Sequence, residues 1–206
     1  MKDKTEKGKV ILLHGVSSSG KSTIAKALLE RFAEIYCHLS VDTFYDMIST
    51  NRIFPAPGQM SGGAILQTNK CFHSTIRTFA DMGVNCIADT VYINQPFFDF
   101  AYAEFAQMLA GYDVFIVHVH CDVESLRKRE EIRGDRTVGQ GEGQLASLHY
   151  SDIFDISVDT SANSAENCAD LIISAYESAR SSAAFDLVCK RFADHLEAKS
   201  EGDNLC

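Results

Sequence analysis

Short, almost wholly apolar segments recur along the 206-residue chain, and a stretch with helical periodicity follows each of them. They cover residues 9–14, 36–41, 84–89, 114–119 and 153–158. Strands without alternation of apolar and polar residues are typical of parallel sheets, whose two faces are covered by helices. Because crossovers between parallel strands are right-handed, this order predicts a three-layer α/β domain with a parallel five-stranded sheet.

Helical patterns fill the intervals between these segments. They cover 21–34, 43–48, 63–81, 96–110 and 122–133, and a last pattern over 165–196 has a predicted break near Ser181 and Ser182. We expect one domain over 1–206 with flexible ends at 1–8 and 198–206, because no Gly-, Ser- or Pro-rich linker divides the chain. The long last pattern leaves a homodimer open, although packing within one chain is the simpler use of its apolar stripe.

The composition excludes several classes of protein. The 19 basic and 28 acidic residues give a net charge of −9, which argues against nucleic acid or anionic lipid as a partner. No apolar run approaches the ~18 residues of a membrane span, and the charged first residues lack the small-residue cleavage site of a signal peptide. Seven cysteines without a CxxC spacing predict buried, reduced thiols and a cytoplasmic protein.

A phosphate-binding motif lies between the first apolar segment and the first helical pattern. Residues 15–23 match GxxxxGK[ST]. Glycines let successive backbone amides face one point, and the following helix adds its positive N-terminal dipole. A Ser/Gly-rich turn without a ligand is the alternative. We expect a nucleotide triphosphate site, with Lys21 acting on the β- and γ-phosphates, formed by Gly15, Val16, Ser17, Ser18, Ser19, Gly20, Lys21, Ser22 and Thr23.

Two acids end or follow apolar segments at the edge where a parallel sheet binds ligands. Asp42 follows the second segment, where its carboxylate would accept the proton of an acceptor hydroxyl; it is equally suited to N-cap the helix 43–48. Asp89 ends the third segment and is predicted to bind Mg²⁺ together with Ser22. The alternative for Asp89 is a solvated strand end or a cap for the next segment.

A basic segment near residues 127–136 predicts a lid over the nucleotide. Arg129 and Arg133 share one helical face and are expected to bind the nucleotide. Arg133 and Arg136 are expected to act in catalysis, because guanidinium groups stabilise the charge of phosphoryl transfer. Mobility is predicted from the glycines that follow, at 139, 141 and 143. The alternative is a solvated helix face on which Glu130 and Glu131 pair with the arginines.

With these blocks in this order, the chain resembles the chloramphenicol phosphotransferase-like family of P-loop kinases over about residues 10–175. Four blocks and one histidine are similar to those of the family, whose patterns are given in parentheses. They are 14–22 (P-loop), 41–43 (Val-Asp-Ser), 129–136 (Arg-Gly-Asp-Arg lid), 155–161 (Tyr-Asp-x-x-Val-Asp-Thr, near the nucleotide base) and His149. The resemblance implies a fold like that of nucleoside-monophosphate kinases. It also implies ATP- and Mg²⁺-dependent phosphorylation of a hydroxyl on a small molecule, with Asp42 as the base.

The chain departs from the family at the predicted acceptor side. The family has two acids where this chain has Asp89 and Thr90, and residues 44–75 show little resemblance, so chloramphenicol is only one candidate acceptor. Five aromatic residues are predicted either to form a wall against the acceptor or to pack in the core. They are Phe44, Tyr45, Phe54, Tyr92 and Phe97. Two other functions stay open: a zeta-toxin-like kinase of a nucleotide sugar, and a non-catalytic binding protein gated by nucleotide.

Overall fold

Five parallel strands form the centre of the molecule. A computed structural model describes residues 6–49, 61–134, 137–149, 152–179 and 182–202. The strands are β1 (Val10–His14), β2 (Tyr36–Ser40), β3 (Asn85–Thr90), β4 (Val114–His120) and β5 (Ile156–Asp159). Their order in the sheet is β2-β3-β1-β4-β5, and every neighbouring pair is parallel. The predicted parallel five-stranded α/β fold is therefore confirmed.

The helices lie close to their predicted bounds, with one exception. They are α1 (Lys21–Arg31), α2 (Val41–Asp46), α3 (Gly62–Asp81), α4 (Pro96–Met108), α5 (Val123–Arg133), α6 (Gln140–Leu145), α7 (Ala165–Ser178) and α8 (Ala183–Gly202). The exception is α6, which forms in the segment predicted to be a mobile glycine-rich lid. The break in the last pattern is confirmed, because Ser182 begins α8 by accepting a hydrogen bond from the Phe185 amide at 3.3 Å.

Alternate side chains of the central strands enter two separate cores. Val10 and Leu12 pack under α3, α4 and α8, whereas Ile11 and Leu13 pack under α1 and α7, and all four are fully buried. Helix α8 adds Val188 to the first core, so its apolar stripe is used within this chain. Truncating one such buried Leu to Ala lowers the free energy of unfolding by about 2–5 kcal/mol. Packing in these cores therefore fixes the strands whose ends carry the candidate site.

The structure also bears on the membrane and thiol predictions. Within the described ranges, no helix has both the length and the apolar character that a bilayer span needs. The six described cysteines are all free thiols. Cys86, Cys121 and Cys168 are buried, but Cys71 is exposed, so the prediction of buried thiols holds for only part of the set.

His14, the last residue of β1, is a buried neutral side chain next to the phosphate-binding loop. It is 1% exposed, and its Nε2 accepts a hydrogen bond from the Tyr92 amide at 3.2 Å. Burial lowers the pKa of His14 to about 3, although the Tyr92 backbone partly opposes this shift. The ring is therefore uncharged at neutral pH.

We expect the protein to lose stability as the pH falls below about 6.5, the unfolded-state pKa of histidine. Since the folded pKa of His14 is about 3, the unfolded chain binds a proton first, and the stabilisation present above pH 6.5 is lost toward pH 3. The loss from this residue is about 2 kcal/mol at pH 5. Melting curves of the wild type and of His14→Gln from pH 7.5 to 5 measure it. Equal slopes in both proteins would contradict the assignment.

Candidate active site

The loop between β1 and α1 turns sharply at the carboxyl edge of the sheet. Ser18 and Gly20 have left-handed backbone conformations, with φ of 61° and 98°. Gly15 has no room for a side chain, because an added Cβ would lie 2.4 Å from the Val119 carbonyl oxygen. This tight approach and the two left-handed residues bring the loop around the first turn of α1, which is the arrangement that the GxxxxGK[ST] motif predicts.

Lys21, the first residue of α1, lies over this loop. Its side chain is almost completely buried, and its Nζ donates to the carbonyl oxygens of Gly15 at 2.9 Å and Val16 at 2.8 Å. The ammonium group is thus held at the floor of the cleft described below. A positive charge in this position is suited to phosphate oxygens.

Ser22 and Asp89, the predicted Mg²⁺ ligands, lie in direct contact. The Ser22 hydroxyl donates to Asp89 Oδ2 at 2.6 Å. Asp89 is 4% exposed, so its alternative as a solvated strand end is wrong. Burial acts to raise the pKa of Asp89, but the nearby His38, the charge of Lys21 and the Ser22 hydrogen bond outweigh it, so the pKa lies below its usual value. The Ser22 hydroxyl oxygen and the ionised Asp89 carboxylate form an oxygen donor set that fits Mg²⁺.

Asp42 lines the same cleft as Lys21, Ser22 and Asp89. It lies in the first turn of α2, which begins at Val41 and has Ser40 at its N-cap. The alternative in which Asp42 caps a helix over 43–48 is therefore wrong. Its carboxylate is exposed, so an approaching acceptor hydroxyl is able to reach it.

The cleft has a volume of about 470 Å³ and, besides Asp42 and Asp89, three walls. The first wall is the phosphate-binding loop with α1, and the second is α5, which contributes Arg129 and Arg133. The third is the segment after β5, with Thr160, Asn163 and Ser164. The structure therefore brings both described lid arginines to the predicted nucleotide site. Arg136 lies outside the described residues, so its predicted role in transfer stays a prediction.

Arg129 braces the phosphate-binding loop in addition to lining the cleft. Its Nη1 donates to the Ser18 carbonyl oxygen at 3.2 Å and to Thr160 Oγ1 at 3.0 Å, and its Nη2 donates to the Thr160 carbonyl oxygen at 2.7 Å. The Thr160 hydroxyl in turn donates to the Ser19 carbonyl oxygen at 2.7 Å. Arg129 and Thr160 thus connect α5, the end of β5 and the loop, a role that the sequence did not indicate for either residue.

Only one end of the block 155–161 reaches the cleft. Asp155 lies before β5, at the opposite edge of the sheet. Its Oδ2 accepts hydrogen bonds from the Ile116 amide at 2.7 Å and the Ser182 hydroxyl at 2.8 Å, and its Oδ1 accepts one from the Ala184 amide at 3.3 Å. Asp155 therefore anchors α8 to β4. Thr160 lines the cleft, and a place near the nucleotide base stays a prediction.

Comparison with known proteins identifies the family. The family model described as "Chloramphenicol phosphotransferase-like protein" matches residues 8–177. The chain belongs to this family. A protein of Mycobacterium tuberculosis (strain ATCC 25618 / H37Rv) named "Putative O-phosphotransferase" is 30% identical over 207 residues, which cover 90% of this chain and 89% of that protein.

Solved structures show the same fold at lower identity. The APS kinase of Mycobacterium tuberculosis, in complex with AMPPNP and APS, matches with a TM-score of 0.60 and 18% identity, over 84% of this chain and 99% of that one. Shikimate kinase from Acinetobacter baumannii matches with a TM-score of 0.58 and 15% identity, over 84% and 95% of the two chains. These likenesses place the chloramphenicol phosphotransferase-like chain in the P-loop kinase fold.

The aromatic residues near the predicted acceptor side divide between core and surface. Tyr92 is fully buried and stacks on Tyr102 with 4.3 Å between the ring centroids, which confirms the core alternative for this residue. Phe44 and Tyr45 are half-buried and pack on the core from α2, and Asn69 Nδ2 donates to the Tyr45 hydroxyl at 2.8 Å. Phe54 and the Phe97 side chain lie outside the described residues.

Thr90, which replaces the family's second acid, is buried beside Asp89. It is 1% exposed. His149, the other residue matched to the family, is half-buried and packs its ring against Tyr102 and Phe192, beside the core around α8.

Two further polar residues near the cleft were not predicted. Glu130 is 0% exposed and accepts hydrogen bonds from the amides of Gly139 and Gly141, both at 2.7 Å. The alternative in which Glu130 lies on a solvated helix face is therefore wrong. Gln144 Oε1 accepts a hydrogen bond from the Ser17 amide at 2.7 Å. Glu130 lies in the block 129–136 and Gln144 in no motif, and nothing in the sequence indicated these contacts for either residue.

Proposed function

We propose that this family member transfers the γ-phosphate of ATP, in the presence of Mg²⁺, to a hydroxyl group of a small molecule. Its family and its fold support a phosphotransferase. The observation that carries the finer proposal is the single cleft lined by Lys21, the Ser22–Asp89 pair, Asp42 and Arg133. The cytoplasm, where ATP is abundant and thiols stay reduced, is the compartment that fits this proposal.

The cleft residues that carry this proposal have separate tasks in the reaction. The loop amides and Lys21 bind the β- and γ-phosphates, while Asp42 accepts the acceptor's hydroxyl proton as its oxygen attacks the γ-phosphorus. A new oxygen–phosphorus bond forms, the bond between the γ-phosphorus and the bridging oxygen breaks, and ADP leaves. Arg133 stabilises charge on the transferred group. Mg²⁺, held by Ser22 and Asp89, would neutralise phosphate charge.

An acceptor screen tests the proposal directly. The purified protein is incubated with MgATP and panels of hydroxylated antibiotics, nucleosides, sugars and nucleotide sugars, and products are analysed by mass spectrometry for an added phosphate. A phosphorylated small molecule supports the proposal. Transfer to a nucleotide sugar would instead favour the zeta-toxin-like function. Nucleotide binding without any product would favour a non-catalytic nucleotide-gated protein.

Asp89→Asn is expected to raise the Mg²⁺ concentration for half-maximal transfer by about 10–100-fold. The amide keeps the size of the side chain but removes the charge that Mg²⁺ requires at this buried position. The measurement is a Mg²⁺ titration of transfer at fixed ATP. Asp113→Asn is the matched control, because Asp113 is exposed and precedes β4 at the other edge of the sheet. Equal Mg²⁺ dependence in both variants would refute the role of Asp89.

A further inference from the structure

A buried carboxylate joins α5 to α6. Glu130 is fully buried, and each of its two oxygens accepts a backbone amide, Oε2 from Gly139 and Oε1 from Gly141. Burying an ionised carboxylate is costly unless it is hydrogen-bonded, and bonds to a charged acceptor are stronger than neutral ones. The burial of Glu130 therefore depends on α6 staying in this position.

Helix α6 in turn contacts the phosphate-binding loop at both the amide and the carbonyl group of Ser17. The Ser17 amide donates to Gln144 Oε1 at 2.7 Å. Gly141 lies so close to the loop that an added Cβ would be 2.7 Å from the Ser17 carbonyl oxygen. Both backbone polar groups at Ser17 therefore lie against α6, and the path of the loop at this residue is fixed by α6 rather than by the loop alone.

Two connections thus run from α5 to the loop. Arg129 bonds directly to the Ser18 carbonyl oxygen, while Glu130 acts through α6 on Ser17. The same helix ends at Arg133, which lines the cleft. Because adjacent residues of one helix make both connections, the position of the arginines and the shape of the loop are set together.

We propose that Glu130 and Gln144 are positioning residues for the nucleotide: together they latch α6 onto the phosphate-binding loop. The α6 latch consists of Glu130, Gly139, Gly141, Gln144 and Ser17. Its effect on phosphoryl transfer rests on the proposed function, whereas its effect on the backbone is independent of any reaction. The latch pre-forms the loop, so breaking it lowers the affinity for MgATP without removing a group that contacts the reacting atoms.

Glu130→Gln tests the latch because an amide NH₂ cannot accept a hydrogen bond from a backbone N–H. We expect the Gly139 and Gly141 amides of the nucleotide-free protein to exchange their hydrogens at least about tenfold faster than in the wild type. The dissociation constant for MgATP should rise about tenfold, the effect of one lost hydrogen bond. Glu131→Gln, an exposed neighbour on the same helix, is the control and should change neither value.

Gln144→Ala tests the other end of the latch, with Gln140→Ala on the same helix as its control. Because both latch variants act by releasing α6, the double variant should weaken MgATP binding little more than the larger single effect. If the two single effects on the MgATP dissociation constant multiply in the double variant, the two residues act independently, and the single latch is overturned. Unchanged exchange in Glu130→Gln would overturn it as well, and faster exchange with unchanged affinity would refute the positioning role. A wild-type protein that binds no MgATP overturns the proposed function itself, while the exchange rates still decide whether the latch exists.

Discussion

Asp42→Asn is expected to transfer phosphate about 10²–10⁴-fold more slowly than the wild type. The side-chain amide keeps the shape of the carboxylate but cannot take the proton of the acceptor hydroxyl. Binding of MgATP should stay within about threefold of the wild type, because the loss concerns the transition state rather than nucleotide binding. Single-turnover transfer and calorimetric titration with MgATP measure the two effects separately.

Asp46→Asn is the matched control for this experiment. Asp46 lies one turn later on α2 and is also exposed, so the substitution makes the same chemical change on the same helix. We expect its transfer rate to equal that of the wild type. If Asp42→Asn transfers phosphate at the wild-type rate, Asp42 is not the base, and the assignment of the acceptor side of the cleft fails with it.

Lys21→Met has a second large expected effect, on binding as well as on transfer. Methionine keeps an unbranched side chain of similar length but removes the charge held above the loop. Removing one preorganised donor from a reaction centre typically costs about 10²–10³ in rate. We expect at least that loss in transfer, together with a weaker MgATP affinity, measured by the same two assays.

Lys26→Met separates this effect from a general loss of charge on α1. Lys26 is on the same helix but exposed, so its replacement should leave both binding and transfer unchanged. Melting curves show whether Lys21→Met remains folded, since the substitution also removes two hydrogen bonds to the loop carbonyl oxygens. A folded Lys21→Met that retains wild-type transfer would contradict the site.

Local patterns were sufficient to predict the fold. Each predicted strand overlaps an observed one, because buried parallel strands require unbroken apolar runs such as Val10–His14. The main error is α6, since the glycines at 141 and 143 disfavour a helix by intrinsic propensity. Glu130 compensates by accepting the Gly141 amide, and this contact depends on the fold rather than on the local sequence.

The candidate site was predictable where a general rule of parallel sheets applies. Strands β1, β2 and β3 end at the same edge, so the phosphate-binding loop, Asp42 and Asp89 were expected to converge. Both acids line one cleft with Ser17, Ser18 and residues 20–23. Contacts between distant parts of the chain were not predictable in this way. The bond between Ser17 and Gln144 spans 127 residues, and no motif or periodicity connects its two ends.

The pleat of β3 decides what the threonine at residue 90 changes. Adjacent residues of a strand point to opposite faces of a sheet. Asp89 contacts Ser22 on the face covered by α1, so the side chain of Thr90 points to the face covered by α3 and α4. An acid at residue 90 would therefore lie on the opposite face of β3 from the Ser22–Asp89 pair, so on the proposed function we expect the threonine to affect the choice of alcohol and not the binding of Mg²⁺.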